Sequence, residues 1–331
     1  MRDHGRAAEH VATRPELQTS RSATAPPSTG PSPTVRARLE VAGRLADAYA
    51  ADPAVVGVLC GGSTGRGDAD RWSDLELIVL WSAHPSDEQR RRVPDSASAH
   101  AMRLFAYEPA EFASADDFWI GGDAGTGLLI EVGHMSTADA TAALDRLLVD
   151  ATPDRYLLTV AAAYAHGMPL HGDLEPWRDR VETYPSALAA AVIRKHGQID
   201  NFWRWRAYVE RDNPHALRTH FAATAGAITH IACALSGRFW PGPKWPAPTL
   251  AGLQVAPVDL AERLTTVDRM PAAEAAAALT DLVEESYDLV EVRRPDVDVE
   301  RLRRIFRFAR SPWPPGVTST ERVTTPTRSA A

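Results

Sequence analysis

Cysteine is nearly absent: Cys60 and Cys233 are the only two, both in apolar surroundings, so neither a disulfide framework nor a zinc constellation is available. A cytoplasmic location fits that usage. Apolar runs of the roughly 18 residues that a membrane helix needs are missing. The start, Met1-Arg2-Asp3-His4, lacks the apolar stretch of a secretory leader. No membrane partner is expected. Positive charge is not in excess either: the formal net charge of −7 argues against nucleic acid as a partner, which would need a basic footprint. Hydrolase and dehydrogenase signatures are missing as well. There is no Gly-x-x-x-x-Gly-Lys-Ser/Thr loop, no strand-Gly-x-Gly-x-x-Gly-helix unit and no His-Glu-x-x-His pair.

What is present is a soluble globular composition, 44% hydrophobic and 24% charged, in 331 residues, enough for two domains. Residues 1–33, rich in Ala, Thr, Ser and Pro, are expected to be a disordered tail, as is the stretch 312–331. Residues 34–150 mix strand and helix patterns, and residues 151–311 read almost wholly as helices. The expected fold is therefore α+β, a mixed sheet with flanking helices followed by a helical bundle, divided near Ala151. In the first part a helix is expected from Pro33 to Asp52, with Thr34 as its cap. In the second, long helices are expected over Pro185–Arg211, Pro214–Leu235 and Pro271–Val292.

The most informative stretch runs from Val55 to Trp81. Val55–Cys60 reads as a buried strand, Gly61–Gly67 as a glycine loop suited to close backbone approach, and Ile78–Trp81 as the end of a second strand. Residues two apart on a strand share a face, so Asp74 and Glu76 present both carboxylates to one side, away from Leu75 and Leu77. Two like charges on a buried strand are costly unless a cation sits between them. Mg²⁺ is the simplest such cation, a hard ion that takes oxygen ligands and often keeps substrate phosphates in its shell.

The Gly62-Ser63 pair, Arg66-Gly67 and the strand Ser73-Asp74-Leu75-Glu76-Leu77 together resemble the DNA polymerase β-like nucleotidyltransferases, and among them the antibiotic adenylyltransferases of the aminoglycoside and lincosamide kind. Glu76 stands where many members carry Asp, and both are hard carboxylates. The resemblance implies a Mg²⁺-dependent transfer of a nucleoside monophosphate, with ATP as donor, onto a hydroxyl of a small molecule. It implies that Gly62 and Ser63 hold the triphosphate, that Arg66 contacts it or braces the loop, and that Asp74 and Glu76 hold metal. It also implies a third carboxylate on a later strand. Glu131, alone inside the apolar strand Gly127–Gly133, matches that position, as metal ligand or as proton acceptor for the attacking hydroxyl. Glu108 is the reserve, and His134 should face away from Glu131.

Farther on, the proline-rich loop Gly237–Pro246 carries Trp240, Lys244 and Trp245, which can stack on a base and reach a phosphate, or plug the end of the bundle. Lys244 is the nucleotide-binding candidate there. A cationic acceptor would want acids in the cleft, and Asp116, Asp117, Asp123 and Asp173 are available. Two alternatives stay open: a protein adenylyltransferase of the toxin–antitoxin kind, and a non-catalytic nucleotide-binding sensor. Oligomeric state is not legible.

Overall fold

The computed structural model describes residues 30–97, 99–105, 114–121, 127–244 and 246–313. Its first helix, α1 (Pro33–Ala50), is capped by the Ser32 hydroxyl, which accepts from the Val35 amide at 3.2 Å. Pro33 is the reason the cap is Ser32 and not Thr34: a proline at the first helical position needs no donor there. Among the described residues six strands follow: β1 (Val55–Cys60), β2 (Leu75–Trp81), β3 (His100–Leu104), β4 (Ser114–Gly121), β5 (Leu128–Ser136) and β6 (Met168–Gly172). They form one sheet in the order β3-β4-β5-β2-β1-β6. Only β2 and β5 run parallel; the other neighbours are antiparallel. The fold is α+β, with a mixed sheet.

Between the first strands lie α2 (Gly62–Arg66) and α3 (Asp87–Ser96), and behind β5 come α4 (Thr137–Leu148) and α5 (Arg155–His166). The remainder is α6 (Glu175–Val181), α7 (Ser186–Gly197), α8 (Trp205–Glu210) and α9 (Pro214–Leu235), then α10 (Pro246–Ala251), α11 (Leu260–Val267), α12 (Ala272–Arg293) and α13 (Val299–Arg307). Among the described residues no helix is long and apolar enough to cross a membrane.

Strand alternation divides the core in two. Val58 and Cys60 of β1, Leu75, Leu77 and Val79 of β2, and Ile130 and Val132 of β5 pack against Ala42, Leu45 and Tyr49 of α1. Leu59, Leu80 and Met135, on the opposite face, join a larger cluster with α4, α5 and the helices beyond. Asp74, Glu76 and Glu131 thereby belong to the face that looks toward the helical part of the chain.

Several expectations from the sequence are corrected. The glycine stretch after β1 is not a loop but one helical turn, α2, since Gly65 donates to the Gly61 carbonyl at 2.8 Å. Residues 114–121 form β4, a strand that the sequence reading did not single out. A capping box between Ser86 and Gln89 starts α3, a helix that the sequence reading did not single out. Residues 168–172, in the part expected to be almost wholly helical, form β6, which pairs with β1. The long helix expected to Arg211 breaks after Gly197, where Asn201 takes φ 57 and a 3₁₀ turn, Phe202–Arg204, intervenes.

Candidate active site

Register delivers the acids to one place. Glu76 on β2 is the direct neighbour of Glu131 on the parallel strand β5. Asp74 lies just before β2, two residues from Glu76 and so on its side of the strand. One carboxylate oxygen from each of Asp74, Glu76 and Glu131 falls within 4.8 Å of the others. Three hard oxygen donors at that spacing fit a hard divalent cation better than they fit each other. Burial, with the Asp74 charge beside it, pushes the Glu76 carboxyl above the usual range, while Lys244 and Arg66 pull it back.

The turn at α2 closes over this cluster. Gly62 has φ +56, and a Cβ on it would lie 2.3 Å from Glu76 Oε2. Both the backbone conformation and the carboxylate behind it require glycine. The Gly61 amide donates to the Glu76 carbonyl at 2.9 Å, which ties the turn to β2. Ser63 and Thr64 are buried in this turn, and the Thr64 hydroxyl has no hydrogen-bond partner among the described residues. Cys60 is no nucleophile, because burial, reinforced by the Glu76 charge, pushes its thiol up to about 12.

Lys244 reaches in from the helical side. Its Nζ donates to Asp74 Oδ2 at 2.8 Å and to Glu76 Oε1 at 3.5 Å. Burial lowers its basicity, but the Asp74 hydrogen bond and the charges of Glu76, Asp74 and Glu131 outweigh burial, and the net shift is upward. A cavity of about 270 Å³ is lined by Arg66, whose charge also acts on Glu76, together with Asp68, His166, Arg238, Phe239 and Pro241. Arg66 is ion-paired to Asp68 at 3.6 Å. His166 is held below the usual imidazole range by burial and then by the charges of Arg238 and Arg66, so the neutral ring is favoured beside two permanent cations. Arg238 and His166 were missed in the sequence. Arg238 sits six residues before Lys244 in the same loop, which is the signal that was available.

Other expected contributors are elsewhere. Asp117 is not a cleft acid: it is buried, with Oδ1 accepting from Arg90 Nη1 at 2.9 Å and Oδ2 3.2 Å from His134 Nε2. Arg90 is therefore a buried partner for Asp117, while Arg91 and Arg92 beside it are exposed. His134 faces away from Glu131 and takes the Trp81 indole hydrogen bond on Nδ1 at 3.1 Å. Trp240 is a plug: it is buried against His230, ring centroids 4.4 Å apart. Asp173 is exposed, its side chain accepting from the amide of Glu175, the first residue of α6, at 3.1 Å. Glu108, Asp123 and Trp245 lie outside the described residues. On α13, Arg303 and Arg307 both bond Glu284.

No family model matches the chain, and no curated protein matches it. Among solved structures it is similar to a nucleotidyltransferase-like protein from Exiguobacterium sibiricum, at 11% identity and a TM-score of 0.35, over 78% of this chain and 81% of that one. It is similar to a chain of the GLD-2/RNP-8 complex at 11% identity and a TM-score of 0.30, over 75% of this chain and 73% of that one. A third is terminal uridylyl transferase 4 from Trypanosoma brucei with bound GTP, at 13% identity and a TM-score of 0.23, over 50% of this chain and 53% of that one. Superpositions this loose carry no argument, and the functional reading rests on the site.

Proposed function

We propose that the chain is a divalent-metal-dependent nucleotidyltransferase that moves a nucleoside monophosphate, AMP from ATP in the first instance, onto a hydroxyl of a small molecule. The observation that carries this reading is the convergence of Asp74, Glu76 and Glu131 within 4.8 Å beside a glycine turn that also packs on Glu76. Asp74 and Glu76 would hold Mg²⁺, with Glu131 completing the set. Such an ion supplies neutralisation of charge on the phosphates and on the departing pyrophosphate.

The rest falls to the chain's own groups. Backbone amides of the Gly62–Ser63 turn, with Arg66 and Arg238 from the cavity they line, would receive the β- and γ-phosphates. Glu131 would take the proton from the acceptor hydroxyl as its oxygen bonds to the α-phosphorus and the bond to pyrophosphate breaks in line. With Asp117 committed to Arg90, the case for a strongly cationic acceptor loses one of its acids.

Incubation with Mg²⁺, each of the four ribonucleoside triphosphates, and a panel of aminoglycosides, lincosamides and hydroxyl-bearing natural products tests the reading. A product heavier by one nucleoside monophosphate, with pyrophosphate released, supports it. Label appearing on protein side chains instead would favour the toxin–antitoxin alternative. Triphosphate binding without turnover of any acceptor would favour the sensor.

A further inference from the structure

Every cationic side chain in this protein is an arginine except Lys195 and Lys244. One of those two rests on the acid cluster, 2.8 Å from Asp74 Oδ2 and 3.5 Å from Glu76 Oε1. The choice matters chemically. An ammonium is a compact point charge with three donors, close in size and demand to a small cation, whereas a guanidinium is a planar fork that grips one carboxylate edge-on. Lys244 thus satisfies the same oxygens that a divalent ion would use, and like charges cannot share them.

The segment that carries it has a packed base. Phe239 packs on Tyr184 with ring centroids 4.7 Å apart, and Trp240 is held between His230 and the Arg155 guanidinium, the latter 5.2 Å from its ring centroid. Between that base and the lysine stands Gly242, at φ +107, with open space where a Cβ would point. Beyond this pivot the Lys244 side chain is 62% exposed, and among the described residues its hydrogen bonds go to the two carboxylates alone.

We propose that Lys244 is a tethered counter-ion that closes the carboxylate cluster to free divalent metal and yields it only to metal arriving with a nucleoside triphosphate. The proposal rests on the reading of the cluster as a metal site. A free ion must drive the ammonium off two carboxylates into solvent with nothing to replace them. A triphosphate held by Arg66 and Arg238 gives the same ammonium a new anion within reach of a turn at Gly242, so the exchange costs little. Binding is then ordered: metal and nucleotide enter together, and the resting protein carries its own cation.

Mn²⁺ titration of the full chain, read by electron paramagnetic resonance, tests this without any turnover. Wild type, Lys244→Met and Lys244→Gln are compared with and without an α,β-methylene triphosphate, with Asp74→Asn as the site control. Without nucleotide both lysine variants are expected to bind Mn²⁺ about tenfold more tightly than wild type, the effect of a competing, partly buried ion pair removed. With the analogue present, wild type is expected to bind Mn²⁺ at least as tightly as the variants. Equal affinities without nucleotide, together with loss of Mn²⁺ on Asp74→Asn, would overturn the lysine proposal and leave the metal site standing. Absence of Mn²⁺ binding to all four proteins, analogue present or not, would overturn both.

Discussion

Replacing Gly62 with alanine perturbs the backbone and the site together, whereas replacing Gly67 perturbs the backbone alone. Both glycines have positive φ, +56 and +86, so either substitution forces an L-residue into the left-handed region. That costs roughly 1–2 kcal/mol of stability. The surroundings differ. At Gly67 a Cβ meets nothing within 4 Å, while at Gly62 it lies 2.3 Å from Glu76 Oε2 and 2.5 Å from its Cδ. For ordinary contact the carboxylate must retreat by roughly 1 Å, and misplacement of that size in a catalytic constellation can lower turnover about 100-fold. The expected result is that both variants melt early in urea by similar amounts. Gly67→Ala should keep its Mn²⁺ affinity and its pyrophosphate release, and Gly62→Ala should lose most of both. Wild-type metal affinity in Gly62→Ala, or an equal catalytic loss in Gly67→Ala, would refute the placement of Glu76 behind the turn.

Three further outcomes follow from the same contacts. Asp74→Asn and Glu131→Gln should fold normally and lower nucleotidyl transfer by about 100-fold or more, measured as pyrophosphate release, because each removes a carboxylate from one cluster. Arg90→Met should cost about 3–5 kcal/mol of unfolding free energy by stranding buried Asp117, whereas exposed Arg92→Ala should cost no more than about 1 kcal/mol; urea titration of both checks this. His196, stacked on His230 at 3.8 Å, is pushed from 6.5 down to about 3 by burial and then by the charges of His230 and Lys195. Its folded value lies below its unfolded one, so its contribution to stability is full above 6.5 and is lost as pH falls toward about 3. His196→Phe keeps a ring in the stack and removes the proton, so its urea midpoint should fall less than that of wild type over this window.

The parts of the site written in one short stretch were legible because local rules govern them. Period-two alternation put Asp74 and Glu76 on one face, and it also set His134 opposite Glu131. The pairing of Glu76 with Glu131 spans β2 and β5, and it was reached only through a resemblance, since no local pattern specifies register between distant strands. What stayed hidden depends on contacts far apart in sequence. Nothing local marks the partner of Arg90, because Asp117 is 27 positions away on another element. Met168-Pro169-Leu170-His171-Gly172 has little strand propensity of its own and is a strand because β1 offers it an edge. The break after Gly197 depends on a left-handed Asn201, a conformation that helical periodicity does not report.

The central claim is that three carboxylates hold one divalent ion beside a nucleoside triphosphate. Crystals grown with Mn²⁺ and an α,β-methylene triphosphate, and measured for anomalous scattering, test it most directly. The account predicts an anomalous peak ligated by Asp74, Glu76 and Glu131, with phosphate oxygens in its shell and Lys244 moved onto the triphosphate. A nucleotide bound elsewhere, or a cluster that keeps Lys244 and takes no Mn²⁺, would contradict it.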